Sequence, residues 1–248
     1  ITLSWLAGQT TNLDLGTTVM VLPYRHPILL ARHVANLDQL SGGRVIVGVG
    51  IGNAADEFAA LGVPHNRRGA WSDDMLEAMT ALWGGDDEVS YHGTYVNFDQ
   101  VSAISTRQQP HPPIWVGGNS DSAIRRAVRF DAGWHPINQS VTQLRDSWLP
   151  ALKAEAARAG KPAPALCPRI RLQITSEPNL EPDRAAGIGT LEQIHTDLSD
   201  LQALGAEYVV LDWFNWPDLE ATGEHERAFA MLGLLAENVL DLERHTVR

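Results

Sequence analysis

The stretch LGTTVMVLPYRHPILLARHVANLDQLSGGRVIVGVGIGNAADEF (Leu15–Phe58) decides the fold of this chain. Two short apolar runs rich in β-branched residues, Thr17–Leu22 and Val45–Val49, enclose a pattern with apolar residues at helical spacing. This order predicts a strand–helix–strand unit. In parallel α/β folds, ligands bind outside the carboxyl ends of the strands. We therefore expect the turns after the two strands, Pro23–Pro27 and Gly50–Asn53, to contact a ligand.

The helix inside this unit has clear ends. Pro27 falls where proline is tolerated, in the first turn of a helix. Gly42 and Gly43 follow the last periodic residue, and glycine accepts the left-handed conformation that ends many helices.

The rest of the chain repeats the same rhythm of strands and helices. Further strands are predicted at Ile114–Val116, Gly133–Pro136, Arg169–Ile174 and Tyr208–Leu211. Helices are predicted at Asp56–Leu61, Arg68–Trp83, Ala123–Phe130, Val141–Ala159 with an interruption at Pro150, a segment capped by Thr190 and ending near Gly205, and Phe229–Leu242. A hairpin excursion is predicted near residues 89–104. Alternating strands and helices indicate a mainly parallel sheet.

Six strands in this rhythm fit the later part of a (β/α)₈ barrel better than a doubly wound sheet. Composition does not shift along the chain, so residues 1–248 are expected to form a single domain. The chain opens inside a helical pattern, Ile1–Ala7, without an initiator Met. We therefore expect a preceding segment in the native protein.

Composition excludes several classes of protein. The net charge of −11 argues against a nucleic-acid surface, which needs a clustered basic face. A single cysteine, Cys167, excludes an internal disulfide and a zinc site of several cysteines. The sequence has neither a membrane-length apolar run nor a signal peptide, so we expect a cytoplasmic protein without membrane partners. The histidines lack metal-ligand spacing, so no metal site is predicted.

The turn Gly117-Gly118-Asn119-Ser120 is the candidate phosphate site. It follows a strand and opens a helix, and helix N-termini offer free N–H groups and a positive dipole end. The alternative is an ordinary turn in which Asn119 or Ser120 is the N-cap of the helix.

The glycines at Gly48, Gly50 and Gly52 do not have the spacing of a dinucleotide fingerprint. An NAD-binding protein would also need an acidic residue at a strand end, whereas Asp73 falls in a predicted helix. Glycines at a strand end indicate either close packing against something flat or a tight turn.

Other polar and aromatic residues have two interpretations each. Arg25, at a strand end, is a candidate anion contact. Asp56 and Glu57 are candidate general acids or, more simply, solvated acids at a helix start. Trp134 lines a pocket or belongs to the core. No pairing of a nucleophile with a base stands out, so no catalytic residue is assigned.

Six segments carry a family resemblance: LGTTVMVLPYRHP (Leu15–Pro27), LDQLSGGRVIVGVGIG (Leu37–Gly52), DEFAALGVP (Asp56–Pro64), PPIWVGGNS (Pro112–Ser120), DAGWHP (Asp131–Pro136) and the GTLEQI…LGAEYVVLD region (Gly189–Asp212). In this order they resemble the luciferase-like monooxygenase superfamily, and most closely its branch of coenzyme F420-dependent oxidoreductases.

The resemblance implies an α/β fold of the TIM (β/α)₈ type, with the cofactor at the carboxyl ends of the strands. It also implies a non-proline cis peptide bond at Thr18–Val19 that bulges against the cofactor ring. The positions that match the family's cofactor contacts are Thr18, Val19, Gly50, Ile51 and Gly52 for the ring, Gly117, Gly118, Asn119 and Ser120 for the phosphate, and Trp134 near the ring pocket.

The sequence departs from the family at two places. The family's first two strands have no counterpart, so the chain corresponds to strands three to eight of an N-terminally truncated barrel. Asn53 and Ala54 stand where many relatives have an aromatic residue and an asparagine, so stacking or hydrogen bonding to the cofactor differs.

The resemblance implies an enzyme that transfers hydride between coenzyme F420 and an organic small-molecule substrate. Arg25 then contacts the cofactor tail or the substrate, and the protein is a homodimer. One alternative is an FMN-dependent flavin monooxygenase that uses O₂. Another is a non-catalytic flavin-binding homologue or barrel fragment.

Overall fold

The computed structural model describes residues 1–85, 87–214 and 225–248. The chain divides into two compact units. Unit 1 comprises Ile1–Gly117 and Arg129–Gly133, and unit 2 comprises Gly118–Val128 and Trp134–Arg248. The single-domain organisation of residues 1–248 stays a prediction.

Helices and parallel strands alternate up to Gly117, with one antiparallel hairpin between them. In chain order the elements are α1 (Thr2–Gln9), β1 (Leu15–Gly16), β2 (Met20–Val21), a 3₁₀ turn (Leu22–Tyr24), α2 (Pro27–Ser41), β3 (Val45–Gly50), α3 (Ala55–Ala60), a 3₁₀ turn (His65–Arg67), α4 (Arg68–Gly84), β4 (Glu88–His92), β5 (Asn97–Ser102) and β6 (Ile114–Gly117).

Strand β3 is the centre of the sheet in unit 1. All six of its residues are buried, and it pairs in parallel with β1, β2 and β6. The prediction of one continuous strand over Thr17–Leu22 is wrong. The chain leaves the ladder between β1 and β2, and Leu22–Tyr24 forms a 3₁₀ turn.

Helix α2 has the predicted ends. Pro27 occupies its first turn, and Gly42 follows it with a left-handed φ of 75°. The buried carboxylate of Asp38, on α2, accepts hydrogen bonds from the backbone N–H groups of Arg107 (2.7 Å) and Gln108 (2.9 Å). It also accepts one from the side-chain amide of Gln108 (2.8 Å). These bonds fix the loop that leads into β6.

The hairpin of β4 and β5 occupies the span where an excursion is predicted. It packs on α4, where the rings of Trp71 and Tyr95 stack with centroids 5.1 Å apart. The carboxylate of Asp74 accepts hydrogen bonds from the N–H groups of Tyr95 and Val96. The excursion is therefore anchored to the outer helix of unit 1.

After Gly117 the chain continues with helices and short strands. They are α5 (Asp121–Arg129), β7 (Gly133–His135), α6 (Val141–Gln143), a π-helical stretch (Leu144–Trp148), α7 (Leu149–Ala159), β8 (Arg169–Arg171), β9 (Gln173–Ile174), β10 (Ile188–Gly189), α8 (Leu191–Ala203), β11 (Val210–Asp212), α9 (His225–Asn238), β12 (Leu240–Asp241) and β13 (Thr246–Val247).

Two sequence expectations need correction in unit 2. The predicted strand Arg169–Ile174 is split into β8 and β9, because Leu172 donates its N–H to Asp212 and Gln173 donates to Gly187. The helical region is not interrupted at Pro150. The chain passes through a π-helical stretch, and Pro150 lies in the first turn of α7, where its missing N–H is tolerated.

The capping of α8 agrees with the sequence. The Thr190 hydroxyl accepts from the N–H of Gln193, whose side chain accepts from the N–H of Thr190, forming a capping box. The closing helix begins earlier than predicted and ends at Asn238, because the chain then forms the antiparallel pair β12–β13.

Replacement of Asp38 with alanine tests the anchor of the β6 loop. It removes the buried acceptor of three hydrogen bonds to Arg107 and Gln108, so we expect the free energy of unfolding to fall by about 3 kcal/mol. Urea denaturation measures this change. Asp14→Ala removes an exposed carboxylate and is the control, with an expected change below about 0.5 kcal/mol. Equal losses in the two variants would contradict the anchoring role.

Candidate functional site

The segment between β1 and β2 carries the most distinctive geometry of unit 1. The Thr18–Val19 peptide bond is cis, as the family resemblance implies. Thr18 and Val19 are both exposed, and the side chain hydroxyl of the preceding Thr17 donates a hydrogen bond to the carbonyl of Gly48 (2.8 Å). The segment thus lies on β3 while presenting Val19 outward.

Three glycines, Gly48, Gly50 and Gly117, lie beneath this segment, and we call them the glycine seat. A Cβ at Gly48 would lie 1.8 Å from the Thr17 carbonyl oxygen. At Gly50 it would lie 2.6 Å from Val19 Cγ2, and at Gly117 2.9 Å from Val19 Cγ1. Real Cβ atoms do not approach this closely, so the seat requires glycine. The exposed apolar surface here is the side chain of Val19, with the glycines behind it.

Gly52 and Ile51 follow β3. Gly52 has a left-handed φ of 73°, and its carbonyl accepts a hydrogen bond from Arg68 Nε (3.0 Å). A Cβ there would lie 2.7 Å from Val21 Cγ1. The geometry of the turn thus accounts for glycine at this position, while Ile51 is half-buried.

A tyrosine–glutamate pair, which sequence reasoning missed, joins the 3₁₀ turn after β2 to the first turn of helix α3. The Tyr24 hydroxyl donates to the carboxylate of Glu57 (2.8 Å). Desolvation, followed by this bond and the charge of Glu57, raises the pKa of Tyr24 above its usual value of 10. The sequence signal was present, because both residues follow strand ends. Arg25, next in the chain, is exposed and donates to the carbonyl of Val21 (2.9 Å).

The turn that opens α5 lies in unit 2. The Ser120 hydroxyl accepts a hydrogen bond from the N–H of Ala123 (3.2 Å). Ser120 is therefore the N-cap of α5, as in the alternative interpretation of an ordinary turn. Gly118 has a φ of 130°, a conformation that L side chains rarely adopt. Capping and anion binding are compatible, since a helix start has more free N–H groups than one cap satisfies.

Two side chains hold this turn in place. The amide of Asn119 donates to the carbonyl of Ile137 (2.7 Å) and accepts from its N–H (2.9 Å). Trp134 is fully buried, and its indole N–H donates to the carbonyl of Gly118 (3.0 Å). Both polar ends of Asn119 are therefore used within the protein, and Trp134 supports the carbonyl side of the turn.

Unit 2 also contains two buried titratable groups, His135 and Cys167. Burial, and after it the positive charge of Arg169, lower the pKa of His135, against the opposing effect of the hydrogen bond to the Cys167 carbonyl. Burial raises the pKa of the Cys167 thiol to about 12. Both groups are therefore neutral near pH 7.

The sequence matches a family model, described as luciferase-like monooxygenase, over residues 1–186. The chain belongs to this family. The match covers the glycine seat, the Tyr24–Glu57 pair and the turn at Gly118–Ser120, and it confirms the family expected from the motifs.

Curated relatives share part of this sequence. An uncharacterized protein of Mycobacterium tuberculosis is 38% identical over 170 residues, covering 65% of this chain and 58% of the relative. The FMNH2-dependent dimethylsulfone monooxygenase of Pseudomonas putida is 31% identical over 159 residues, covering 62% of this chain and 43% of that enzyme. The chain therefore spans about half the length of these relatives.

The fold resembles that of solved enzyme structures. The coenzyme F420 dependent tetrahydromethanopterin reductase of Methanopyrus kandleri matches with a TM-score of 0.72 at 17% identity, over 93% of this chain and 84% of that one. At this identity the likeness shows the fold alone. It confirms the prediction of an α/β fold with parallel strands and a TIM-barrel type.

Within residues 1–85, 87–214 and 225–248, no group of three or more His, Cys, Asp or Glu side chains is placed to hold a metal ion. None of the helices described in those ranges has the length and apolarity needed to cross a membrane.

Replacement of Gly48 with alanine tests the glycine seat. The new Cβ collides with the backbone of Thr17, so we expect a loss of more than about 3 kcal/mol in the free energy of unfolding. Gly16→Ala, on the neighbouring strand β1, is the matched control. Its Cβ would meet only Ile46 at 3.8 Å, and its expected change stays within about 1 kcal/mol. Urea denaturation measures both changes. Similar stabilities of the two variants would contradict the close contact between Gly48 and the Thr17 backbone.

The lowered pKa of His135 predicts a pH dependence of stability. The unfolded state takes up this proton near pH 6.5, before the folded state does. The contribution to stability is therefore complete above pH 6.5 and is lost as the pH falls below it, by at most about 1.4 kcal/mol per pH unit.

The check is urea denaturation of wild type and His135→Gln between pH 7.5 and 5. The variant is expected to show a shallower fall in stability. His33→Gln, which changes an exposed histidine, should keep the wild-type slope. An unchanged slope in His135→Gln would show that His135 is not the titrating group.

Proposed function

We propose that this chain is the cofactor-binding part of an oxidoreductase that transfers hydride between coenzyme F420 and a small organic substrate. The observation that carries the proposal is the exposed Val19 on its cis-bonded segment, held by the glycine seat at the carboxyl end of β3. An apolar side chain fixed from behind presents a firm contact for one face of a planar ring.

The residues fit such a group in two separate places. In unit 1, Thr18, Val19 and Ile51 offer exposed or half-buried surface to the ring, and Gly50 and Gly52 shape the backbone beneath. Arg25 is exposed at the strand end and is proposed to contact the cofactor tail or the substrate. When bound, F420 supplies or accepts the hydride, and the protein positions its ring.

In unit 2, the turn is proposed to bind the phosphate. The free N–H groups at the start of α5 are the donors, and Asn119 and Trp134 fix the backbone that carries them. The carboxylate of Asp121, in the first turn of α5, opposes the binding of a phosphate. We therefore propose that backbone N–H groups hold the phosphate, and not a net positive charge. A direct contact between Trp134 and the cofactor stays a prediction.

The second candidate is an FMN-dependent monooxygenase that uses O₂. The observation that favours it is the 31% identity to the FMNH2-dependent enzyme of Pseudomonas putida. The same residues would hold FMN, because both cofactors have a planar tricyclic ring and a phosphate on the side chain. We also propose that the protein forms a homodimer. Light scattering would then give twice the mass of one chain.

The test is fluorescence titration of the protein with F420, FMN and riboflavin. We expect Val19→Asp to weaken binding of F420 at least tenfold, because a charge replaces the apolar contact. Leu29→Asp changes an exposed apolar residue on α2 and should leave affinity within twofold. Tight FMN binding without F420 binding selects the second candidate. No binding of either cofactor contradicts both and leaves the non-catalytic homologue or barrel fragment.

The phosphate turn has its own test. Ser120→Asp keeps an N-cap side chain but places a negative charge at the helix start. We expect it to weaken FMN binding at least tenfold while leaving riboflavin, which lacks the phosphate, within twofold. Equal effects on both ligands would contradict a phosphate contact at this turn.

A further inference from the structure

Strand β8 in unit 2 has one buried face and one polar face. Ile170 and Leu172 are 0% and 2% exposed, whereas Arg169 and Arg171, on the opposite face, are half-buried. Strand β11 runs parallel beside β8, and Asp212 stands opposite Arg171 in the register. The polar face therefore carries two arginines and one aspartate.

The carboxylate of Asp212 does not form an ion pair with Arg171. Asp212 Oδ2 accepts from Arg169 Nε (2.9 Å) and Nη2, and its Oδ1 accepts from the N–H of Phe214 (3.0 Å). Among the residues that the structure describes, none makes a hydrogen bond or ion pair with the side chain of Arg171. Among residues 1–85, 87–214 and 225–248, Asp212 is thus committed to Arg169, and Arg171 has no acidic partner.

Arg171 lies at a place in the strand where parallel α/β folds generally bind ligands. It ends β8, and ligands of parallel α/β folds bind outside the carboxyl ends of strands. On the other side of β8, Ile137 forms a bridge with Arg169, and Ile137 is itself clamped by Asn119 of the turn. The turn, the Ile137 segment and β8 are thus successive neighbours within unit 2.

Gln173 extends the polar face beyond Arg171. It continues the alternation of β8, with the buried Leu172 between them. Within the described ranges, its side-chain amide has no hydrogen-bond partner either. A guanidinium and an amide whose donors have no partner in the described part of the chain thus lie two residues apart.

We propose that Arg171, assisted by Gln173, binds an oxyanion: a phosphate or carboxylate group carried by the cofactor or by the second substrate. A planar guanidinium donates two parallel hydrogen bonds to such a group. A half-buried cation that has no counter-ion among the described residues gains free energy from such a partner. Because the chain has a net charge of −11, anions are not drawn to its surface in general. The role of this site in a reaction rests on the proposed function, but its anion binding does not.

The test is calorimetric titration with inorganic phosphate. Every protein carries Ser120→Asp, which removes the turn as a competing phosphate site. Arg171→Met is expected to weaken phosphate binding at least tenfold, and Arg171→Lys, which keeps the charge without the planar fork, to weaken it less. Arg32→Met removes the same charge from an exposed position on α2 and should stay within twofold.

Equal phosphate affinity with and without Arg171→Met would overturn the proposal. If Tm also falls by more than 5 °C in that variant, the arginine serves folding alone.

Cofactor titrations, with Arg171→Met in the otherwise wild-type chain, identify the source of the oxyanion. A tenfold loss for FMN but not for riboflavin assigns it to the cofactor. Unchanged F420 and FMN affinities, together with lost phosphate binding, assign it to the second substrate. If neither cofactor binds the wild-type chain but phosphate binding still depends on Arg171, the proposed function fails and this site stands.

Discussion

The close approach of the Thr17–Val19 segment to the glycine seat is the constraint on which the site in unit 1 depends. A Cβ at Gly48 would fall 1.8 Å from a backbone oxygen, so this contact exists only without a side chain. The Thr17–Val19 segment therefore packs directly on strand β3, and the side chain of Val19 is the exposed apolar surface. In this arrangement the glycines shape the proposed cofactor surface indirectly, from behind Val19.

Much of the fold was predictable because its signals are local. Pro27 and Gly42 mark the ends of α2, and Thr190 with Gln193 forms the capping box of α8. The strand breaks were not predictable. β8 ends where Leu172 and the next residue turn to different partners, and those partners lie some 15 to 40 residues away in the sequence. Residue alternation continues across such a break, so the pattern alone shows one strand.

The candidate site was predictable in outline but not in its contacts. The motifs located the cis bond at Thr18–Val19 and the turn at Ser120. They did not show that Val19 covers Gly50, because that depends on the register between strands 30 residues apart. Arg171 was also missed. Within the residues that the structure describes, Asp212 pairs with Arg169 and not with Arg171, which only the three-dimensional arrangement reveals.

The structure of the protein with bound F420 or FMN tests the central claim most directly. We predict that the ring lies against the side chain of Val19, with carbon atoms within about 4 Å of its methyl groups. Gly48 and Gly50 would remain covered and make no contact with the ring. A ring that contacts these glycines directly with Val19 displaced, or that binds away from β3, would contradict the account.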